Sequence, residues 1–393
     1  MPPPRRSVSV FWVRIVVEPS VPSRVLHLCL SQSWGGLEMY PGRVTPELQR
    51  QGWTVHGMAL AGSRVAEAFR ALGVEPLTVR SRLCALLQLP RILRYLDQHQ
   101  IQVIHAHKSS DMQVAALLVQ CRPGLRLFFT DHMGVKKPKS DPYHRWAYAK
   151  ARSVFSISQA TYEWNRRALP VPDERLVQLY YGIDLAAYRT PMSDQYRRER
   201  RHSLGVDDQA VVIALPGRIS RGKGHSVWLE ALARLHDQPG LPRWQAVVVG
   251  EASGEEARPG GFADELRATV KRNGLDHRVV FAGFRGDLAA CLQAVDIACI
   301  PSAKEAFGLA VIESMAARCA VVGSASGAIP ELIDQDRGRI ADPYDASDWS
   351  AALAELVADA GLRARLAATA SDWVNRRFTL AGHVERLVGY YRG

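Results

Sequence analysis

Short apolar runs rich in β-branched residues recur along the chain, each closed by a polar or glycine-bearing loop. Most are followed by a stretch with helical spacing. In the first half the runs fall at 24–31, 54–60, 75–79, 102–107, 126–131 and 153–158; in the second, at 210–215, 245–250, 279–282, 295–300 and 320–323. Runs apolar on every position suit strands covered on both faces, as in parallel sheets. Helical spacing predicts helices over 64–72, 112–121, 226–236, 263–273, 309–318, 329–332, 346–358 and 362–378, and over 383–391, which is expected to cross back onto the first domain. Leu83, Leu86, Leu87, Leu89, Ile92, Leu93 and Leu96 predict one further helix with Arg82, Arg91 and Arg94 around its apolar face. That face reads as core packing; contact with a membrane surface is the second reading. Pro41 and Pro46 follow the first strand, and proline costs about 3 kcal/mol inside a helix, so any helix there is expected to be kinked or delayed. The polar stretch 190–208, with Arg197-Arg-Glu-Arg-Arg201, reads as an interdomain connection with a solvated lead-in helix.

Candidate chemistry concentrates at Pro301–Met315, PSAKEAFGLAVIESM, which follows the 295–300 strand. Gly308 allows a close backbone turn into a helix whose unpaired N–H groups and positive dipole end offer an anion site. Glu305 stands on the loop and Glu313 about a turn inside the helix. Two carboxylates beside an anion site suit hydrogen bonds to sugar hydroxyls. Two solvated helix-start carboxylates are the plain alternative.

Four further stretches carry a resemblance: Gly217-Arg-Ile-Ser-Arg-Gly-Lys-Gly-His225, Val247-Val-Val-Gly250, Val279-Val-Phe-Ala-Gly-Phe284 and Gly327-Ala-Ile-Pro-Glu331. With the two glutamates, they resemble the retaining GT-B glycosyltransferases of family 4, the type that builds bacterial cell surfaces and lipopolysaccharide. The likeness runs over roughly 22–380 and is most specific in the second half. It implies an α/β fold of two Rossmann-like domains whose parallel sheets face a central cleft. The expected division is a loose extension over 1–21, an acceptor-binding domain over 22–185, a nucleotide-sugar domain over 186–378, and a returning helix over 379–393.

The resemblance also implies roles. Arg218 and Lys223 would neutralise a leaving diphosphate with helix-start N–H groups, so no metal and no cofactor are expected. Glu305 would bind the donor sugar and Glu313 the ribose hydroxyls. Gly35, Gly36, Gly217, Phe284, Phe307, Gly308 and Leu309 would line the donor site. His132, in a strand-to-loop junction like the family's T-x-H-G stretch, maps onto the histidine against the transferred sugar, although Met133 separates it from Gly134. His107, Lys136, Lys137 and Lys139 are candidates for the acceptor side. Leu179-Tyr-Tyr-Gly-Ile-Asp184 resembles a stretch closing the first domain, but Tyr181 stands where asparagine is usual.

Charge sharpens the picture of the partner. The chain carries a formal +11, and residues 1–185 hold 24 Lys and Arg against 13 Asp and Glu, so the whole excess lies there. A one-sided basic domain points to an anionic glycolipid or saccharide acceptor and to peripheral contact with the inner face of the cytoplasmic membrane. The alternatives are a nucleic-acid-binding protein or an epimerase-like GT-B enzyme. No groove-reading motif or aromatic interleaving accompanies the basic residues, so nucleic acid is not the expected partner. Six scattered cysteines without C-x-x-C, and histidines without metal-ligand spacing, suit reduced thiols in the cytoplasm and no zinc site. No apolar run reaches the 18 residues a membrane span needs, and Arg14, Glu18, Pro19 and Pro22 break the pattern of a signal peptide at the start.

Overall fold

The computed structural model describes residues 23–189 and 192–393, so the extension over 1–21 lies outside the described residues. Among the described residues thirteen strands divide between two sheets whose ladders are parallel throughout. The first holds β1 (Arg24–Cys29), β2 (Thr54–Leu60), β3 (Leu77–Val79), β4 (Val103–Ala106), β5 (Arg126–Asp131), β6 (Ala151–Ser156) and β7 (Leu176–Gln178), in the order β3-β2-β1-β4-β5-β6-β7. The second holds β8 (Val211–Pro216), β9 (Trp244–Val249), β10 (Val279–Gly283), β11 (Ile297–Ile300), β12 (Ala320–Ser324) and β13 (Arg339–Ala341), in the order β10-β9-β8-β11-β12-β13. Each is a doubly wound sheet, and these are the two Rossmann-like units expected. Strand order reverses between β1 and β4 and between β8 and β11, the points at which open α/β sheets gather ligands at their carboxyl edges.

Strands such as β8 and β11 read correctly because each is a whole apolar run; all six residues of β8 and all four of β11 are buried. The three-residue strands β7 and β13 were not expected. Each lies at a sheet margin and is too short, and in β7 and β13 too polar at Gln178 and Arg339, to show a period of its own.

Three local expectations are corrected. The helix Gly36–Arg50 is neither delayed nor interrupted: it starts directly after Gly35 and runs through both prolines. Burial of Tyr40, Val44 and Leu48 along one face outweighs the propensity cost, and the Thr45 hydroxyl donates to the Pro41 carbonyl at 2.7 Å. The single helix expected over 83–96 is two, Arg82–Leu87 and Leu89–Gln98, because Pro90 starts the second. Ala85, Ile92 and Leu96 face the core, whereas Leu83 and Leu87 are 66% and 75% exposed. The charged run at 197–201 is not a wholly solvated face. Arg201 is buried, donates to the carbonyls of Asp208, Ala210 and Ala294, and pairs with Asp296 at 2.7 Å, tying its helix (Asp194–Ser203) to the amino edge of the second sheet.

The chain passes between the units twice, and the two passages lie side by side. Ile183 N–H donates to Phe378 O at 2.8 Å and Leu380 N–H to Ile183 O at 2.9 Å. From there the last helix, Leu380–Arg392, packs on the helix Gly36–Arg50 and the first sheet. One apolar cluster accordingly runs from Val25 and Tyr40 through Tyr181 and Phe307 to Val374 and Tyr391. The crossing leaves no room for a side chain at Gly182, where an added Cβ would meet the backbone of Thr379 and Leu380. Gly182→Ala is therefore expected to destabilise the protein by about 1–3 kcal/mol, measured by urea unfolding, since backbone on both sides must shift. Unchanged stability would contradict the close crossing.

Candidate active site

The loops after β8 and β11 of the second sheet define the site. After β8 the chain turns at Gly217 (φ +130), forms a short turn over Arg221–Lys223, and enters the helix His225–His236 from Gly224 (φ +76). A side chain at Gly224 would collide with Pro301 O, and one at Gly250 with Gly217 O, so glycine here lets three carboxyl-edge loops pack backbone to backbone. After β11, Gly308 (φ +102) caps the helix Leu309–Ala316. Gly327 packs on the Glu305 backbone, and Ala328 N–H donates to Glu305 O at 2.9 Å, which fixes the loop.

These turns bring Lys223 and Glu305 together, with Nζ 2.7 Å from Oε2 and both half-buried. Arg218 is exposed on the same loop, and among the described residues no ion-pair partner faces it. Glu313 lies inside the helix start; burial raises its pKa, opposed by the Arg43 guanidinium from the other unit. Gly36 meets Leu309 across the cleft, a Cβ there lying 3.9 Å from the leucine Cδ1. Phe284 is 70% exposed just beyond β10, beside a cavity of about 200 Å³ lined by Ile219, Gly250, Glu251, Arg267, Phe281 and Gly283.

Two expected contacts are corrected. Phe307 does not line the cleft with its ring, which is 2% exposed and packs against Tyr181, Tyr180 and Phe378 at 5.1, 6.0 and 6.1 Å between centroids. Only its backbone faces the loop. His107 does not reach the acceptor side: it is 1% exposed and both ring nitrogens are taken within the protein. Residues two apart on a strand share a face, and β1 and β4 pair His27 with His105, so His27, His105 and His107 point together under the helices Gly36–Arg50 and Leu380–Arg392. Histidines scattered in sequence thus form a buried layer.

In that layer His27 Nδ1 lies 2.9 Å from His107 Nε2, and His107 Nδ1 lies 3.2 Å from His132 Nε2. His132 Nδ1 meets the Tyr181 hydroxyl. His105 meets Tyr391 and Thr130 at 2.5 and 2.7 Å, and His383 meets Tyr40 at 2.8 Å. Desolvation lowers the pKa of His27 and His132 to about 3 and of His383 to about 4, and puts His105 and His107 well below the usual value. All are neutral, so each carries one N–H. If Tyr181 donates to His132, every link is made and only His27 Nε2–H is left over; the reverse order also strands the Tyr181 proton. His27 Nε2 is indeed a buried atom without a partner. His132 is therefore held as the Nε2–H tautomer, with both nitrogens engaged inside the protein. Tyr181, the departure from asparagine, supplies a contact of its own. One nitrogen each of His27, His105 and His107 lies within 4.8 Å of the others, the one grouping among the described residues with the makeup of a metal site. Those nitrogens instead satisfy one another, Thr130 and Tyr391.

The basic loop after β5 is shaped by two buried side chains. Asp131 Oδ1 accepts from Met133 N–H and Gly134 N–H at 2.9 and 3.0 Å, and Asn165 Oδ1 accepts from Val135 N–H at 2.8 Å. Lys136 and Lys137 are exposed, Lys136 lying 4.5 Å over the Trp164 ring, and Lys139 is half-buried. Glu331, quoted above without a role, proves structural. Its carboxylate accepts from Gln159 N–H and Ala160 N–H at 2.7 and 2.6 Å and from Tyr180 Oη–H at 3.0 Å, capping a first-unit helix (Gln159–Ala168) from the second unit. Ser158 Oγ–H donates to Ala306 O at 2.7 Å beside it. Neither Glu331 nor Arg43 carried a local signal of its place, because both partners lie on the other unit.

Two family models match the chain, Glycosyltransferase Family 4 over residues 34–187 and Glycosyl transferases group 1 over residues 196–373. The chain is 35% identical over 214 residues to a D-inositol 3-phosphate glycosyltransferase of Corynebacterium kroppenstedtii, covering 53% of this chain and 46% of that one. The match thus spans about half the length of that relative. A lipopolysaccharide core biosynthesis mannosyltransferase, LpcC, of Rhizobium leguminosarum is 28% identical, covering 77% and 82%. In fold the chain is similar to HepE of Anabaena, solved in complex with UDP (TM-score 0.80, 22% identity, 94% and 99% covered). A glycosyltransferase of Rickettsia africae is similar too (TM-score 0.84, 17% identity, 94% and 98% covered).

The buried histidines set the response to acid. His27, His132, His225 and His383 fall to between about 3 and about 4, the half-buried His56 to about 4, and burial holds His105 and His107 well below the usual value. The unfolded chain takes up these protons near pH 6.5 and the folded one does not, so their stabilisation is complete above 6.5 and is lost as pH falls. Asp111, raised to about 6, and the raised Asp131 and Glu313 slope the other way, but three carboxylates are outnumbered by seven histidines. Urea unfolding is expected to lose on the order of 3 kcal/mol between pH 6.5 and 5.5. The slope should be shallower in His107→Gln, and a flat profile would contradict burial of the layer.

Proposed function

Because the chain belongs to the glycosyltransferases of group 1 and family 4, we propose that it moves a sugar from a nucleotide-diphosphate donor to an anionic glycan or glycolipid, with retention of configuration. The Lys223–Glu305 pair at the carboxyl edge, between two glycine-capped helix starts, carries this reading. A diphosphate that pairs with Lys223 and Arg218 and accepts from the Gly308–Leu309 backbone releases Glu305 to accept from sugar hydroxyls. Charge leaving with the diphosphate is met by fixed cations and N–H groups, so the transfer is proposed to need no metal. Glu313 then takes the ribose hydroxyls, its raised pKa matching a group better paired with hydroxyls than with a second anion. The cavity beside Phe284 has room for the base. His132, with both nitrogens engaged, borders the sugar as a fixed neutral wall.

The acceptor side draws on the first unit. Its excess positive charge, the exposed Lys136 and Lys137, and the exposed Leu83 and Leu87 beside Arg82 form one basic and apolar set of features suited to an anionic bilayer surface. Among the described residues no helix is long and apolar enough to cross a membrane. We assign the enzyme to the cytoplasmic face as a peripheral protein in lipopolysaccharide or other surface polysaccharide synthesis, the process named for the Rhizobium relative.

Arg218→Ala and Lys223→Ala are expected to fold normally and to lose on the order of 10²-fold or more in transfer rate, assayed with radiolabelled nucleotide sugars and membrane extract in EDTA. Near-normal rates in either variant, or dependence on added Mg²⁺, would overturn the assignment. Co-sedimentation with anionic vesicles should fall steeply with salt, as screening shortens to about 3 Å at 1 M, and should weaken in Leu87→Gln. Equal binding to neutral vesicles would remove the membrane contact while leaving the transferase reading intact.

A further inference from the structure

A cleft of about 550 Å³ lies at the amino edge of the second sheet, away from the site above. Its lining includes Val295 and Asp296, which precede β11, and Ala317 and Arg318, which precede β12, whereas Glu305 follows β11. Even a four-residue strand separates the two edges by about 13 Å.

Four arginines line the cleft: Arg189, Arg197, Arg318 and Arg363. Asp296 is the one acid among the described lining residues, and it is already committed, accepting from Arg197 and Arg201 at 2.7 Å each and from Val212 N–H at 2.7 Å. Among the described residues no carboxylate pairs with Arg189, Arg318 or Arg363. Arg363, in the first turn of the helix Ala360–Arg377, spends only Nη1 on the carbonyls of Leu356 and Val357.

The backbone at Arg318 is the second observation. Cys319 N–H donates to Ser314 O at 3.0 Å, the bond that closes a helix through a left-handed residue, and that residue is Arg318 at φ +65. Glycine adopts this conformation without the penalty an arginine pays. The carbonyl end of the helix Leu309–Ala316 favours a cation nearby, which accounts for one positive charge but not for three more converging from other elements. Strain retained where glycine would relieve it marks a side chain kept for a contact.

We propose that this cleft binds a phosphoryl-bearing anion, separately from the donor, through Arg318 and Arg363. Arg189 and Arg197 stand on the helices Ala186–Arg189 and Asp194–Ser203 of the connection between the two sheets, so an anion held here ties that connection to the second unit. Phosphoryl groups come from soluble metabolites or from lipid headgroups, and the two arms of the test separate these sources.

The first arm is thermal unfolding over a sodium pyrophosphate series at fixed ionic strength. Wild type should gain Tm, and Lys223→Gln should keep most of the gain, since its loss falls on the donor loop. Arg318→Gly should start roughly 1–3 °C higher, because its strain is relieved, and should gain less. Arg189→Gln, exposed and free of strain, should also gain less. The second arm is co-sedimentation with phosphatidylglycerol vesicles. A headgroup source is supported if Arg318→Gly and Arg189→Gln lose vesicle binding while pyrophosphate leaves wild type unmoved. The proposal is overturned if both variants match wild type in both arms, or if Lys223→Gln alone abolishes the pyrophosphate response.

Discussion

Two backbone hydrogen bonds of a parallel bridge at Ile183, to Phe378 and from Leu380, hold the chain's two passages between its units against each other. A single connection would leave two Rossmann-like units joined by a flexible link, with domain motion as the default. The doubled passage, with no space for a side chain at Gly182, anchors the base of the cleft instead. It also aims the last helix across the first sheet, delivering His383 and Tyr391 to the histidine layer. Glu331, Tyr180 and Ser158 add interunit hydrogen bonds nearer the cleft, so the carboxyl edges of the two sheets stay opposed.

That opposition explains how an unusual amount of polar matter is buried beneath the site. A neutral imidazole in an apolar interior is tolerable only when its nitrogens find partners. Here the partners are mostly one another, with Tyr40, Tyr181, Tyr391 and Thr130 closing the ends. The layer rigidifies the floor of the cleft through directional bonds where an aliphatic core would slide. The cost is sensitivity to acid, since each ring charges more readily once the chain unfolds.

Charge is distributed by edge as well as by unit. At the carboxyl edge of the second sheet Lys223 and Glu305 balance each other and Arg218 remains open. At the amino edge, Asp296 is saturated and three arginines are left without a carboxylate among the described residues. The second half of the chain is neutral by count, so this concentration is invisible in composition and arises because strands β11 and β12 and the connecting helices start at the same place.

The sequence by itself determined the strands whose residues are apolar throughout, the helices with a full amphipathic period, and the glycine-bearing loops of the second half, because each of these is a local pattern. Gly217, Lys223, Gly308 and Glu305 could be read together because their loops resemble those of the family 4 glycosyltransferases. Tertiary structure alone decided the rest. The margins β7 and β13 form by pairing with a neighbour already in place, and the helix Gly36–Arg50 survives two prolines because its buried face outweighs them. Whether a ring faces a cleft or a core is set by what packs over it. Phe307 and His107 went inward because the other unit and the returning helix cover them. Glu331 and its partner Gln159, or Arg318 and Arg363 in the lining of one cleft, stand far apart in the chain, and no local period records a proximity that only the folded chain creates.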